Sequence, residues 1–224
     1  MNGIIVLNKP KGMTSFSAVN TIHKLTREKA GHAGTLDPMA EGVLVVLLGR
    51  ATKAAKKFES SVKVYEAEIT FGVETDSLDA TGRVTATHEI IFKEEELKEA
   101  ITGFIGEIDQ IPPMVSAIHY KGKRLYELAR NGIEVEREPR RVTISDIKLR
   151  SFSGTTAEIT VTCSKGTYIR SLCADLGAAL GCGAHMSKLT RTKSGEFHIS
   201  DSISLEDAIK LHNLGKLEAR ICPV

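Results

Sequence analysis

Asp37 is the residue of this chain best placed to do chemistry. It lies in the stretch GHAGTLDPMAEGVL, residues 31–44. An aspartate carboxylate is ionised near neutral pH and can serve as a nucleophile. Gly31 and Gly34 permit backbone angles that other residues resist and allow close approach of another segment. The Asp37-Pro38 step biases the aspartate to an extended or turn conformation. Residues 43–48 then run apolar without a break, the pattern of a strand buried on both faces. The sequence therefore predicts a reactive carboxylate on a stiff loop that feeds into the core. An aspartate before proline among glycines is also a common turn residue. Glycoside hydrolysis would need a second carboxylate, and Glu41 is the one sequence-near partner, with nothing marking it as an acid.

Other segments offer groups that could serve such a carboxylate. Residues 62–72 alternate, with Lys63, Tyr65, Ala67, Ile69 and Phe71 on one side and Val62, Val64, Glu66, Glu68 and Thr70 on the other, as a strand would. Tyr65 brings an aromatic face with a polar tip. Arg170 falls in the first turn of a helix predicted over residues 168–180, with Ile169, Leu172, Leu176 and Leu180 inward. A cation at that end opposes the helix dipole, so an anionic partner is expected. Lys9 and Lys11 lie in a turn and are candidates for phosphate contact.

The elements that must position these groups follow from periodicity. Residues 3–7 form a short apolar strand. Thr14 or Ser15 can cap a helix with Ala18, Val19, Ile22 and Leu25 on one face. Residues 49–57 read as a basic turn and a short helix, and residues 75–82 as a turn-rich loop. Residues 94–105 read as an amphipathic helix with its acids at the favourable end. Residues 142–149 and 156–163 alternate as two strands joined by a Ser-Gly turn. Residues 189–197 make a strand and turn, and Ser204 begins a last helix. A basic insertion, about 112–141, carries Lys121, Lys123, Arg124, Arg130, Arg137, Arg140 and Arg141 with Tyr120 and Tyr126 interleaved. Such a segment suits a mobile RNA clamp.

These motifs, in this order, resemble the bacterial TruB family of tRNA pseudouridine synthases. The resemblance is carried by NKPKGMTS, GHAGTLDPMAEGVL, KVYEAEITFG, TDSLDATG, GTYIRSLCADLG and LTRTKSGEF. It implies an α+β pseudouridine synthase fold with a mixed, mostly antiparallel sheet flanked by helices and a thumb-like insertion. It implies isomerisation of the T-loop uridine at position 55 of tRNA, with Asp37 as the catalytic carboxylate. By the same resemblance Arg170 pairs with Asp37, Tyr65 stacks on the target base, Leu189 closes the apolar side of the pocket, and His32 fills the space that the flipped base leaves. Lys9, Lys11, Lys123, Arg124, Arg140 and Arg141 are the expected RNA contacts. The family's small C-terminal PUA-type domain finds no room, so residues 1–224 are read as one catalytic domain. A competing expectation is a non-catalytic tRNA-binding or RNA-folding factor that uses the same basic surface.

Composition narrows the alternatives. The chain has 224 residues and a formal net charge of only +2, so any attraction to nucleic acid depends on how charge is distributed. Residues 1–63 hold ten Lys/Arg against four Asp/Glu, whereas residues 66–109 hold three against twelve. That segregation would let one face attract phosphate. No apolar run is long enough to span a bilayer, and no secretion signal is visible. Cys163, Cys173, Cys182 and Cys222 show no metal spacing and read as reduced thiols of a cytoplasmic protein. With no phosphate-loop or metal motif, neither cofactor nor metal is expected. A monomer that needs no protein partner, acting on the tRNA T-arm, completes the expectation.

Overall fold

A computed structural model describes residues 1–223. Its elements are β1 (Gly3–Lys9), α1 (Ser15–Thr26), β2 (Ala30–Ala33), β3 (Glu41–Leu48), α2 (Ala55–Glu59), β4 (Lys63–Phe71), β5 (Val73–Thr75), β6 (Val84–Thr87), α3 (Glu94–Thr102) and β7 (Gly106–Gln110). They continue as β8 (His119–Tyr120), β9 (Lys123–Arg124), α4 (Leu125–Arg130), β10 (Arg140–Phe152), β11 (Thr156–Cys163), α5 (Ile169–Ala179), β12 (Ala184–Ser194), β13 (Phe197–His198), β14 (Ile203–Ser204) and α6 (Leu205–Asn213). The residues cluster into two units, Met1–Glu66 with Leu189–Val224, and Ala67–Lys188. The chain passes between them within β4 and β12.

In the first unit β3 is the central strand. It pairs antiparallel with β1, in the register Gly3↔Leu48 to Lys9↔Gly42, and antiparallel with β2. On its other side it meets β12 in parallel, Thr190 opposite Glu41 and Arg191 opposite Gly42. β3 is paired on both edges and covered on both faces, and the burial of both faces is why its run of residues 43–48 is apolar throughout. Leu44, Val46 and Leu48 pack with Ile5, Leu7, α1 and α6 on one face. Val43, Val45 and Leu47 pack with Ile4, Val6, Ala33 and Ala51 on the other. Burial of each such aliphatic side chain is worth roughly 1.5–3 kcal/mol. Thr14 caps α1 by accepting the Ser17 N–H at 3.0 Å, and Ala18, Val19 and Ile22 face inward as their spacing predicts.

The second unit is built on the antiparallel pairs β10/β11 and β10/β7. Phe71, Phe92 and Phe152 form an edge-to-face and tilted cluster beside them, with centroids 4.9–6.3 Å apart. The basic insertion has secondary structure of its own. It contains the β8/β9 hairpin and α4, and Met114, Leu125 and Leu128 make a small core of their own, packed by Ile118, Tyr120 and Val135. Within both units the α+β class and the mixed, mostly antiparallel pairing follow the expectation.

Candidate active site

Asp37 occupies the loop between β2 and β3 and is half-buried. The loop is fastened by the turn that follows β1. Ser15 Oγ accepts the Leu36 N–H at 2.8 Å and donates to the Leu36 carbonyl at 2.9 Å, so one hydroxyl closes both backbone groups beside Asp37. The Gly12 N–H donates to the Pro38 carbonyl at 2.7 Å. The Ala40 N–H donates to the Asp37 carbonyl at 3.1 Å. None of these bonds uses the Asp37 side chain.

Lys9 belongs to this fastening and not to the RNA-facing surface on which it was expected. β1 runs two residues beyond its last apolar residue and carries Lys9 inward, opposite Gly42. Its side chain has no exposed surface. Nζ donates to the carbonyls of Met13 at 2.7 Å, Pro10 at 2.9 Å and Pro38 at 3.5 Å. A buried ammonium is tolerable where carbonyls replace its water. Burial pushes its pKa down to about 8, against the upward pull of the Asp37 and Glu41 carboxylates. The consequence for stability has a definite sign. The folded pKa lies below the ordinary 10.5, so between pH 8 and 10.5 the unfolded chain binds more protons and stability rises with pH. The burial penalty is fully present below pH 8. Urea unfolding across this range should show the wild type gaining on Lys9→Met by roughly 3 kcal/mol. A flat difference would mean that Lys9 titrates as an ordinary lysine.

The far side of the loop is held by Arg191, which the sequence reading passed over. This buried guanidinium donates from Nη2 to the Gly34 carbonyl at 2.9 Å and from Nε to the Val43 carbonyl at 2.8 Å. It thus bridges the backbone on both sides of Asp37. Its neighbour two residues back, Leu189, is buried beside the β12–β3 pairing. On the opposite edge of β12, Thr192 Oγ1 reaches the Val64 carbonyl at 3.4 Å, next to half-buried Tyr65. His32 stands on β2, and its Nδ1 is buried without a hydrogen-bond partner among the described residues. Burial, and then the Arg191 cation, depress its pKa, which favours the neutral imidazole. Asp37, His32, Tyr65 and Leu189 therefore all belong to the first unit. So does Lys11, which is exposed as expected.

Arg170 lies in the second unit, in the first turn of α5, and is buried. The anionic partner its position demands includes Asp79, 3.7 Å away and itself buried. Its guanidinium also donates to the Ser77 carbonyl at 3.2 Å and the Val115 carbonyl at 2.9 Å. Asp79 is fixed in turn by the Ser77 hydroxyl at 2.7 Å and the Thr81 N–H at 2.9 Å. Asp79 was legible only as part of a turn motif.

Lys123, Arg124 and Arg140 are exposed, as an RNA-facing role requires. Tyr126 is flanked by two cations, with the Arg130 guanidinium 5.3 Å and that of Arg124 6.0 Å from its ring centroid. Arg141 is also exposed but has acidic neighbours. It forms a two-pronged pair with Asp109, 3.1 Å at each contact, and lies 3.7 Å from Glu107. The β10/β7 register sets Arg141 opposite Asp109, so its charge is answered within the protein.

Among the described residues no group of three or more His, Cys, Asp or Glu is placed to hold a metal ion. No helix among them is long and apolar enough to cross a membrane.

Two family models match the chain: TruB family pseudouridylate synthase (N terminal domain) over residues 23–169, and tRNA pseudouridylate synthase B C-terminal domain over residues 170–224. A protein of Clostridium kluyveri named tRNA pseudouridine synthase B is 50% identical over 207 residues, covering 92% of this chain and 72% of that protein. Its namesake in Dechloromonas aromatica is 47% identical over 225 residues, covering all of this chain and 75% of that one. Among solved structures, a chain of a Cbf5–Nop10–Gar1 complex superposes with a TM-score of 0.79 at 32% identity over 99% of this chain. A chain of an H/ACA RNP bound to a substrate RNA containing 2′-deoxyuridine gives 0.72 at 31% over 97%. The present chain spans 60% and 55% of those two chains.

Proposed function

This chain belongs to the TruB family of pseudouridylate synthases, and we propose that it isomerises uridine to pseudouridine in tRNA, at the T-loop position 55, with Asp37 as the catalytic carboxylate. The single observation that supports Asp37 most is the loop around it. Ser15, Gly12, Lys9 and Arg191 hold the backbone on both sides, and the Asp37 side chain takes no part in those bonds. Preorganised charge of this kind is what a reaction at a sugar carbon needs.

The reaction breaks the N1–C1′ bond, turns the uracil and joins C5 to C1′; C5 then loses its proton and N1 gains one, so the product is an isomer. The base must leave its stack first, at a cost of about a few kcal/mol. A carboxylate at the sugar can attack C1′ as the uracil leaves through N1, or take the C2′ proton as the uracil leaves, to give a glycal. In this reading Arg170 supplies the cation that keeps the carboxylate ionised, Tyr65 stacks on the uracil, and Leu189 closes the apolar wall. Neutral His32 enters the space that the base vacates. Nothing is oxidised and no group is transferred to a second molecule, so the reading calls for no cofactor. We place the reaction in the cytoplasm and assign it to the chain as a monomer without a protein partner.

The test is mass mapping of a T-arm stem-loop RNA after incubation with the purified chain. Pseudouridine at the T-loop uridine is the expected product, and unmodified RNA would refute the assignment. The insertion and the β1–α1 turn supply the phosphate contacts in this reading, through Lys11, Lys123, Arg124 and Arg140. Removing two of these charges with Lys123→Ala and Arg140→Ala should lower the slope of log binding constant against log salt by about 2. An unchanged slope would remove the insertion from the RNA interface. Arg141 is a poor probe here, because its substitution also strands Asp109.

A further inference from the structure

Helix α5 starts without a cap of its own. Its N-cap residue, Tyr168, is extended at φ −97° and ψ 106°, and no side chain of the helix caps it. The first turn holds no acid. Helix starts leave backbone N–H groups that need partners, and here one partner comes from 58 residues away. Gln110, the last residue of β7, is 1% exposed. Its Oε1 accepts the Tyr168 N–H at 2.7 Å, and its Nε2 donates to the Tyr168 carbonyl at 2.9 Å. That carbonyl also accepts the Leu172 N–H at 3.1 Å, so both its lone pairs are used. One residue on, Ser171 Oγ donates to the Ile111 carbonyl at 2.9 Å. Arg170 then donates to the carbonyl of Val115. Residues 110–115 therefore meet the start of α5 at three places, with Pro112 and Pro113 stiffening the span between the second and the third. A side-chain amide offers a neutral donor and acceptor side by side for a backbone N–H and C=O whatever the pH, whereas a carboxyl does so only when protonated.

We propose that Gln110 is a positioning residue for Arg170: its amide fixes the backbone of Tyr168, and with it the azimuth at which α5 projects the guanidinium toward its partners. The inference rests on the reading of Arg170 as part of the substrate site. Gln110 touches no substrate and acts through α5.

Gln110→Glu keeps volume and acceptor but sets a carboxylate against the Tyr168 carbonyl. At pH 8 its kcat should fall on the order of 30-fold, with tRNA Kd within about threefold, because the reacting groups and not the binding surface are displaced. Protonation of the introduced carboxyl restores a donor toward that carbonyl. The activity of Gln110→Glu relative to wild type should therefore climb as pH falls toward 6. Gln110→Met, which lacks both groups, should show a similar loss that does not recover with pH. In an Arg170→Lys background, Gln110→Glu should cost less than about threefold further. A pH-independent ratio for Gln110→Glu, undiminished kcat at pH 8, or additive losses in the double variant would overturn the proposal while leaving the function standing. Failure of the wild-type chain to form pseudouridine would overturn the function and this inference together.

Discussion

Asp37→Asn should form no detectable pseudouridine while still binding tRNA within a few-fold of wild type. The substitution is isosteric, and the loop bonds of Ser15, Gly12, Lys9 and Arg191 all go to backbone atoms, so they survive it. What changes is the charge and the nucleophilicity of one group. An amide neither attacks a sugar carbon nor stabilises positive charge there, and removal of such a group costs at least about 10³-fold. Mass mapping of a T-arm substrate measures the chemistry, and filter binding at fixed salt measures affinity. Thermal unfolding within a few degrees of wild type would confirm that the scaffold is intact. Persistent isomerisation would take the catalytic role away from Asp37. Binding without isomerisation in the wild type itself would favour the tRNA-binding or RNA-folding factor.

Gly42→Ala should be the most damaging single-methyl change near the site. Gly42 has φ 104°, where a side chain is strained. A Cβ built there would lie 2.3 Å from the Arg191 carbonyl oxygen and 2.8 Å from its nitrogen. These are backbone atoms of β12, so neither can rotate away. The strands must part at Arg191↔Gly42, and Arg191 must loosen its hold on Gly34 and Val43. The backbone strain and the overpacking together should cost about 3 kcal/mol or more. Gly154→Ala is the control. Its φ is 90°, yet nothing lies within 4 Å of the added methyl, so it bears the conformational cost alone. Urea midpoints for the two variants separate clash from strain, and kcat of Gly42→Ala reports on the displaced loop. Equal destabilisation by the two would show that β12 yields without cost.

The features legible in the sequence were those written in neighbouring residues. The apolar run of β3, the helical spacing in α1 and α5, the cap at Thr14 and the Asp-Pro turn each depend on a few consecutive side chains. The family motifs are likewise local strings, which is why the resemblance alone marks Asp37, Tyr65 and Leu189. Arg170's need for an anion also followed from its place in the first helical turn.

Tertiary structure alone decided where the long polar side chains end. Lys9 looked like a turn lysine, but two more residues of strand carried it inward to three carbonyls. Arg141 has Asp109 beside it, a pairing set by strand register and not by neighbouring sequence. Arg191, Asp79 and Gln110 carried no periodic or compositional mark, because their partners are set by packing and not by neighbouring sequence. Arg191 and Gln110 reach carbonyls far along the chain, and Asp79 is answered by an arginine 91 positions away. A side chain's backbone conformation is biased by its neighbours in sequence, whereas its hydrogen-bond partner is fixed by register and packing. In this protein the carboxylate proposed to react was marked by its string of residues, and the frame that holds its loop was set by the fold.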